Sequence, residues 1–126
     1  MSFDWHQYLD LARELEKRKQ MASSEEARLR TAVSRAYYAA YHAARKRLVQ
    51  DGDTGIRSAA RPHEYVWEKF RLSPELQRRE IGTKGIRLKL RCSDADYESA
   101  VVNWQATTCL AILDSESVFE ELAKLP

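Results

Sequence analysis

Arg35 and His42 stand seven positions apart in the segment Ser34-Arg35-Ala36-Tyr37-Tyr38-Ala39-Ala40-Tyr41-His42-Ala43-Ala44-Arg45. The alanine spacing favours a helix. Seven residues make almost two turns, so both side chains emerge on one side, about 10 Å apart along the axis. Arginine supplies a permanent cation whose planar fork suits phosphate, and histidine exchanges protons near neutral pH. Such a pair is equipped to bind and cleave a phosphodiester without a metal. The same spacing serves two plainer ends: Arg35 paired with an acid of another helix, and His42 satisfied at an interface.

Tyr38 lies between the two, and Tyr41 falls near the same side. Both are placed to stack on a base or a guanidinium as sequence-tolerant RNA contacts. Dimer packing accounts for them at least as well, because tyrosine is enriched at interfaces. Tyr37 reads as core. Arg45, three residues past His42, extends the stripe and is the expected contact to a backbone phosphate. Arg78 and Arg79 read as a solvated face. His6 and His63 show no partner, and His63 beside Pro62 reads as a helix-start cap.

The elements that position these residues read as helices almost throughout, with only four glycines and three prolines in the chain. Asp4 with Gln7 forms a capping-box pattern before an inner stripe of Trp5, Tyr8, Leu9, Ala12 and Leu15. Ser23 with Glu26 repeats it and opens a long helix to about Val49, whose inner face is Leu29, Val33, Ala36, Tyr37, Ala40, Ala44 and Leu48. Residues 51–55 form a loop. A short helix after Pro62 carries Tyr65, Val66, Trp67 and Phe70. Ser73-Pro74 reads as an N-cap and first-turn proline, with an interruption at Gly82 and Gly85. Ile86 to Arg91 alternates like a strand but has no second strand to pair with, so helical and extended readings both stay open. Ser93 or Asp94 then caps a last helix whose seam steps through Tyr97, Val101, Trp104, Thr108, Ala111, Ser115, Phe119 and Leu122. The expected fold is all-α: an up-and-down bundle of four to five helices, one domain over residues 1–126.

A formal net charge of +2 over 126 residues points to no particular partner. Its distribution says more. Residues 57–91 hold ten Lys/Arg against four acids, whereas residues 94–121 hold seven acids and no base. Two readings stand side by side: the opposite faces pair within the fold or between subunits, or the basic one meets nucleic acid. Cys92 and Cys109 lack metal-ligand spacing, so neither a zinc site nor a disulfide framework is expected. Cys109, among apolar residues, reads as a core filler. No run approaches the length of a membrane span, and the first ten residues lack the pattern of an export signal. No membrane association, metal or cofactor is expected, and the cytoplasm is the expected location.

Two segments together resemble the HEPN family (higher eukaryote and prokaryote nucleotide-binding domain). Ser34 to Ala44 is similar to the family's helix bearing an arginine, four to six residues, then a histidine. Leu90-Arg91-Cys92-Ser93-Asp94-Ala95-Asp96-Tyr97 is similar to the LR-x-x-x-ADY entry to its last long helix. Pro62-His63 resembles a histidine common at that point, and helix order and length extend the likeness to nearly the whole chain. Ala36 stands where the nuclease toxins often carry a polar residue, and Ala44 where some members carry a modifiable tyrosine. The resemblance implies a HEPN-like bundle that dimerises through the Arg35–His42 helix. It implies Arg35 and His42 as catalytic residues, with Tyr38, Tyr41 and Arg45 contacting RNA or nucleotide. It also implies one of two functions: a metal-independent, toxin-like endoribonuclease with an antitoxin, or a non-catalytic module acting beside a small nucleotidyltransferase. In the first, His42 takes the 2'-hydroxyl proton or protonates the departing 5' oxygen, and Arg35 stabilises the phosphorane charge. The dimer partner's copy of the histidine then supplies the other half of the acid–base pair.

Overall fold

The computed structural model describes residues 3–19, 24–98, 100 and 103–126. Among them the chain forms five α-helices, one 3-10 turn and no strand. The helices are α1 (His6–Lys17), α2 (Glu25–Gln50), α3 (Pro62–Arg71), α4 (Leu76–Tyr97) and α5 (Trp104–Lys124), with the 3-10 turn at Gly55–Ser58. No helix among these residues is long and apolar enough to cross a membrane.

The centre of the molecule is α2, which packs against α1, α4 and α5 and touches α3. Its alanines explain this. Ala32, Ala36, Ala39, Ala40 and Ala44 are all fully buried, and small side chains on several faces let neighbouring helices approach closely. At 26 residues it is about 39 Å long. Ser24 caps it, its hydroxyl accepting from the Ala27 N–H at 3.1 Å; Ser23 lies outside the described residues. Arg28 closes the far end of α1, donating to the carbonyls of Leu15 and Glu16. Two α5 hydroxyls reach the α2 backbone: Ser115 donates to the Ala36 carbonyl at 2.8 Å, and Thr108, 2.8 Å from the Trp104 carbonyl of its own helix, also lies 3.3 Å from that of Leu29. Both are fully buried, so each satisfies a polar group that would otherwise penalise the interface.

Helix α3 lies on α4 where Gly82 and Gly85 face it. A Cβ on Gly85 would enter the Trp67 indole, and one on Gly82 would meet the Arg71 backbone. The expected interruption at these glycines is therefore corrected. The α4 helix runs through both, because the missing side chains make room for α3. Ile86 to Arg91 is helical as part of the same element.

The expected start of the last helix is also corrected. Ser93 and Asp94 lie inside α4, and α5 begins at Trp104 after Asn103. Asn103 adopts the left-handed region at φ 58° and its side chain accepts from the Ala106 N–H at 3.0 Å, a conformation that asparagine tolerates better than most residues. Tyr97, expected on the inner seam, is 84% exposed, and Val101 lies outside the described residues. At the other starts, α1 is preceded by Trp5, with Asp4 accepting from the His6 N–H, and α4 by Glu75, whose N–H donates to the Ser73 hydroxyl. The core-filler reading of Cys109 is corrected: it is exposed, and Cys92 is the buried cysteine.

Of the two charge readings, pairing within the fold is realised along the α4–α5 seam. Arg87 and Arg91 both bind Asp114, and Lys84 binds Glu121 and the Ser117 hydroxyl.

Candidate functional site

Spacings of three, four and three place Arg35, Tyr38, His42 and Arg45 along one stripe of α2. Tyr38 is its hub. The Arg35 guanidinium carbon lies 5.3 Å from the Tyr38 ring centre and 4.8 Å from that of Tyr8 on α1. The His42 ring lies 6.3 Å from Tyr38 on the other side. Arg35 makes no ion pair among the described residues. Beside it opens a cleft of about 430 Å³ whose lining includes Arg30, Ser34 and Asp96.

His42 is half-buried. Its imidazole stacks face to face on the Trp5 indole, with centres 3.7 Å apart and planes 11° from parallel. Neither ring nitrogen has a hydrogen-bond partner among the described residues. Burial above all, then the neighbouring His63, Arg45 and Arg35, pushes its pKa down to about 4. At neutral pH the ring is therefore an uncharged proton acceptor with an arginine on either side along the helix.

His63 corrects the cap reading. As the second residue of α3, it reaches α2, where its Nδ1 lies 2.6 Å from the Tyr37 hydroxyl. Its ring stacks on Tyr41 at 3.8 Å and 11°. Tyr41 also meets His42 edge to face at 5.1 Å. The Tyr37 hydroxyl accepts from Trp67 Nε1 at 3.1 Å, and burial raises its pKa well above the ordinary range for a phenol. Burial, with Lys89 of α4 nearby, depresses the His63 pKa.

The residues named from sequence thus fall into two groups. Arg35, Tyr38, His42 and Arg45 share a partly open face. Tyr41 does not share it as expected. It is only 4% exposed, because His63 covers its ring, and burial raises its phenol pKa more than the charge of Arg45 lowers it. Sequence reading gave His63 as a cap and a family likeness and Trp5 as part of an inner stripe, and named neither as a site residue. Pro62 at the helix start with a histidine next to it, opposite two tyrosines one turn apart on α2, was the available signal for His63. Nothing in the pattern announced the Trp5 stack. Among the described residues no three His, Cys, Asp or Glu side chains gather to hold a metal ion.

Comparison with family models, curated proteins and solved structures finds no match.

Proposed function

We propose that the chain is a HEPN-type, metal-independent endoribonuclease, the toxin-like member of a toxin–antitoxin pair, acting on RNA in the cytoplasm as a homodimer through the α2 face. The observation that carries this reading is an arginine with no ion-pair partner among the described residues, two turns before an uncharged histidine on the same stripe with Tyr38 between them. The guanidinium is free to receive a phosphate fork to fork. In the proposed reaction the 2'-hydroxyl oxygen attacks the adjacent phosphorus while His42 takes its proton. Arg35 stabilises the charge that accumulates on the non-bridging oxygens. The P–O5' bond breaks, and the imidazolium returns its proton to the 5' oxygen. The products are a 2',3'-cyclic phosphate and a 5'-hydroxyl. Tyr38 and Arg45 hold the strand on either side, by stacking and by a phosphate contact.

One observation favours a second reading. The Trp5 indole covers a face of His42, as suits a non-catalytic nucleotide- or partner-binding module beside a nucleotidyltransferase. RNA cleavage in EDTA separates the two. The enzyme cleaves with chelator present and leaves a cyclic phosphate, and Arg35→Ala and His42→Ala each reduce the rate by about 100-fold or more. Cleavage that stops in EDTA, or survives His42→Ala, rejects the mechanism. Growth arrest on expression that both substitutions relieve supports the toxin assignment.

A further inference from the structure

The Tyr37 hydroxyl sits in a short chain of hydrogen bonds with one consistent direction. Trp67 Nε1 can only donate, so the phenol oxygen accepts from it at 3.1 Å. The phenol proton then needs an acceptor, and the neighbouring one is His63 Nδ1 at 2.6 Å. With Nδ1 accepting, the neutral ring carries its proton on Nε2. The opposite arrangement leaves a buried phenol proton without an acceptor, which is costly.

The geometry of imidazole turns Nε2 away from Tyr37. That nitrogen has no partner among the described residues, and it is not among the polar atoms sealed from solvent. Two side chains fix the ring: Tyr41 stacked on its face and Tyr38 edge-on at 5.8 Å. The charged group nearest to it on α4 is Lys89, and His42 faces the same tyrosines from α2. Both imidazoles flank Tyr41, at 3.8 and 5.1 Å, so their centres are at most about 9 Å apart. A phosphodiester with a hydrogen bond of about 3 Å on either side spans such a gap.

We infer that His63 is a second phosphate-contacting catalytic residue of this site, a neutral donor whose Nε2–H binds a non-bridging oxygen of the scissile phosphate. The inference rests on the ribonuclease reading and adds a residue to it. His63 transfers no proton. His42 takes the 2' proton and returns it to the 5' oxygen, while the Nε2–H of His63 and the Arg35 guanidinium share the charge on the phosphorane oxygens. A neutral imidazole suits this role because it donates without ionising.

The test is long-range proton–nitrogen NMR of the full chain labelled at histidine, with a 2'-deoxy oligonucleotide that cannot be cleaved by 2'-hydroxyl attack. The expected wild-type spectrum shows His63 protonated on Nε2 with Nδ1 as acceptor, and Tyr37→Phe loses that preference. The oligonucleotide shifts the resonances of both His42 and His63. In cleavage assays His63→Phe, which keeps the ring stack on Tyr41, lowers kcat by about 100-fold, and His63→Gln, which retains a donor, recovers part of the loss. A proton on Nδ1 in the wild type, or an oligonucleotide that moves His42 alone, overturns the role of His63 and leaves the ribonuclease reading standing. An oligonucleotide that moves neither histidine rejects the ribonuclease reading itself, and this inference with it.

Discussion

His42 gives the structure a pH dependence whose sign and size can be worked out. Its pKa falls from the ordinary 6.5 to about 4, chiefly through burial. In the unfolded chain the ring regains its ordinary value. As pH drops below 6.5 the unfolded state therefore binds a proton before the folded state does, and stability declines until about pH 4, where both are charged. At about 1.4 kcal/mol per pH unit across that window, the full effect is about 3.5 kcal/mol. The ring is only half-buried, and halving the figure for solvent screening leaves about 1.7 kcal/mol. Roughly 1 kcal/mol of this falls between pH 7 and 5, a Tm change of about 3–5 °C for a domain of this size. The informative variant is His42→Phe, which keeps a flat ring against Trp5 and removes the titration. Urea melts of the two proteins at half-unit steps from pH 7 to 5 should diverge, the wild type losing about 1 kcal/mol more. Carboxylates such as Asp51 and Asp114, held below their ordinary pKa mainly by arginine hydrogen bonds that outweigh burial, lose their contribution only at lower pH. Parallel stability curves for the two proteins, or a His42 NMR titration centred near 6.5, would refute the reasoning.

Other consequences can be measured directly. Gly85→Ala should destabilise the fold by about 1–3 kcal/mol in urea, because its Cβ enters the Trp67 ring; in an exposed helix the same change stabilises by up to about 1 kcal/mol. Asp114→Asn removes the shared partner of Arg87 and Arg91 and should cost about 1–2 kcal/mol at neutral pH. That difference should shrink in acid, as the wild-type carboxyl is protonated on passing through its lowered pKa. A thiol reagent should modify one cysteine in the native protein and two after denaturation. Cys109 is exposed, whereas burial pushes the Cys92 pKa up to about 12. In cleavage assays the acidic limb of kcat/KM, which reports the free enzyme, should lie at lower pH than that of kcat, which reports the RNA complex. Coincident limbs would show that bound phosphate leaves the His42 pKa unchanged.

The parts of the fold legible in the sequence were those governed by local periodicity. The inward face of α2 and the aromatic content of α3 follow from spacing, and Val66, Trp67 and Phe70 are all buried. The junction of α4 and α5 was misread because its signals are tertiary. Gly82 and Gly85 resemble breakers in a linear reading, yet they exist to admit Trp67 and the Arg71 backbone. The actual start of α5 depends on Asn103 in a left-handed conformation, with no proline or glycine to mark it. The candidate site divides in the same way. Arg35, Tyr38, His42 and Arg45 share a face because three and four residues bring a helix round to the same side. His63 joins them only through the rotation of α3 against α2, which no spacing within α2 encodes. The same packing turned Tyr41 inward.

The electrostatics of the α2 stripe link binding to proton transfer. With no phosphate bound, Arg35 and Arg45 both act on His42, and each makes its protonation harder. An anion seated between them cancels that repulsion, since opposite charges at short range offset each other where the dielectric is low. Burial, the larger contribution, remains. Bound phosphate therefore raises the basicity of His42 only part of the way, at the moment when a 2'-hydroxyl proton has to be accepted. A carboxylate ion-paired with Arg35 would break this coupling, because the guanidinium would already be neutralised and would neither attract phosphate nor respond to it. Asp96 lines the same cleft but forms no ion pair with Arg35, which is flanked by the faces of Tyr8 and Tyr38. Aromatic faces orient a cation while leaving its hydrogen-bond donors unspent. The arginine that recruits the phosphate is thus one of the groups that sets the strength of the base.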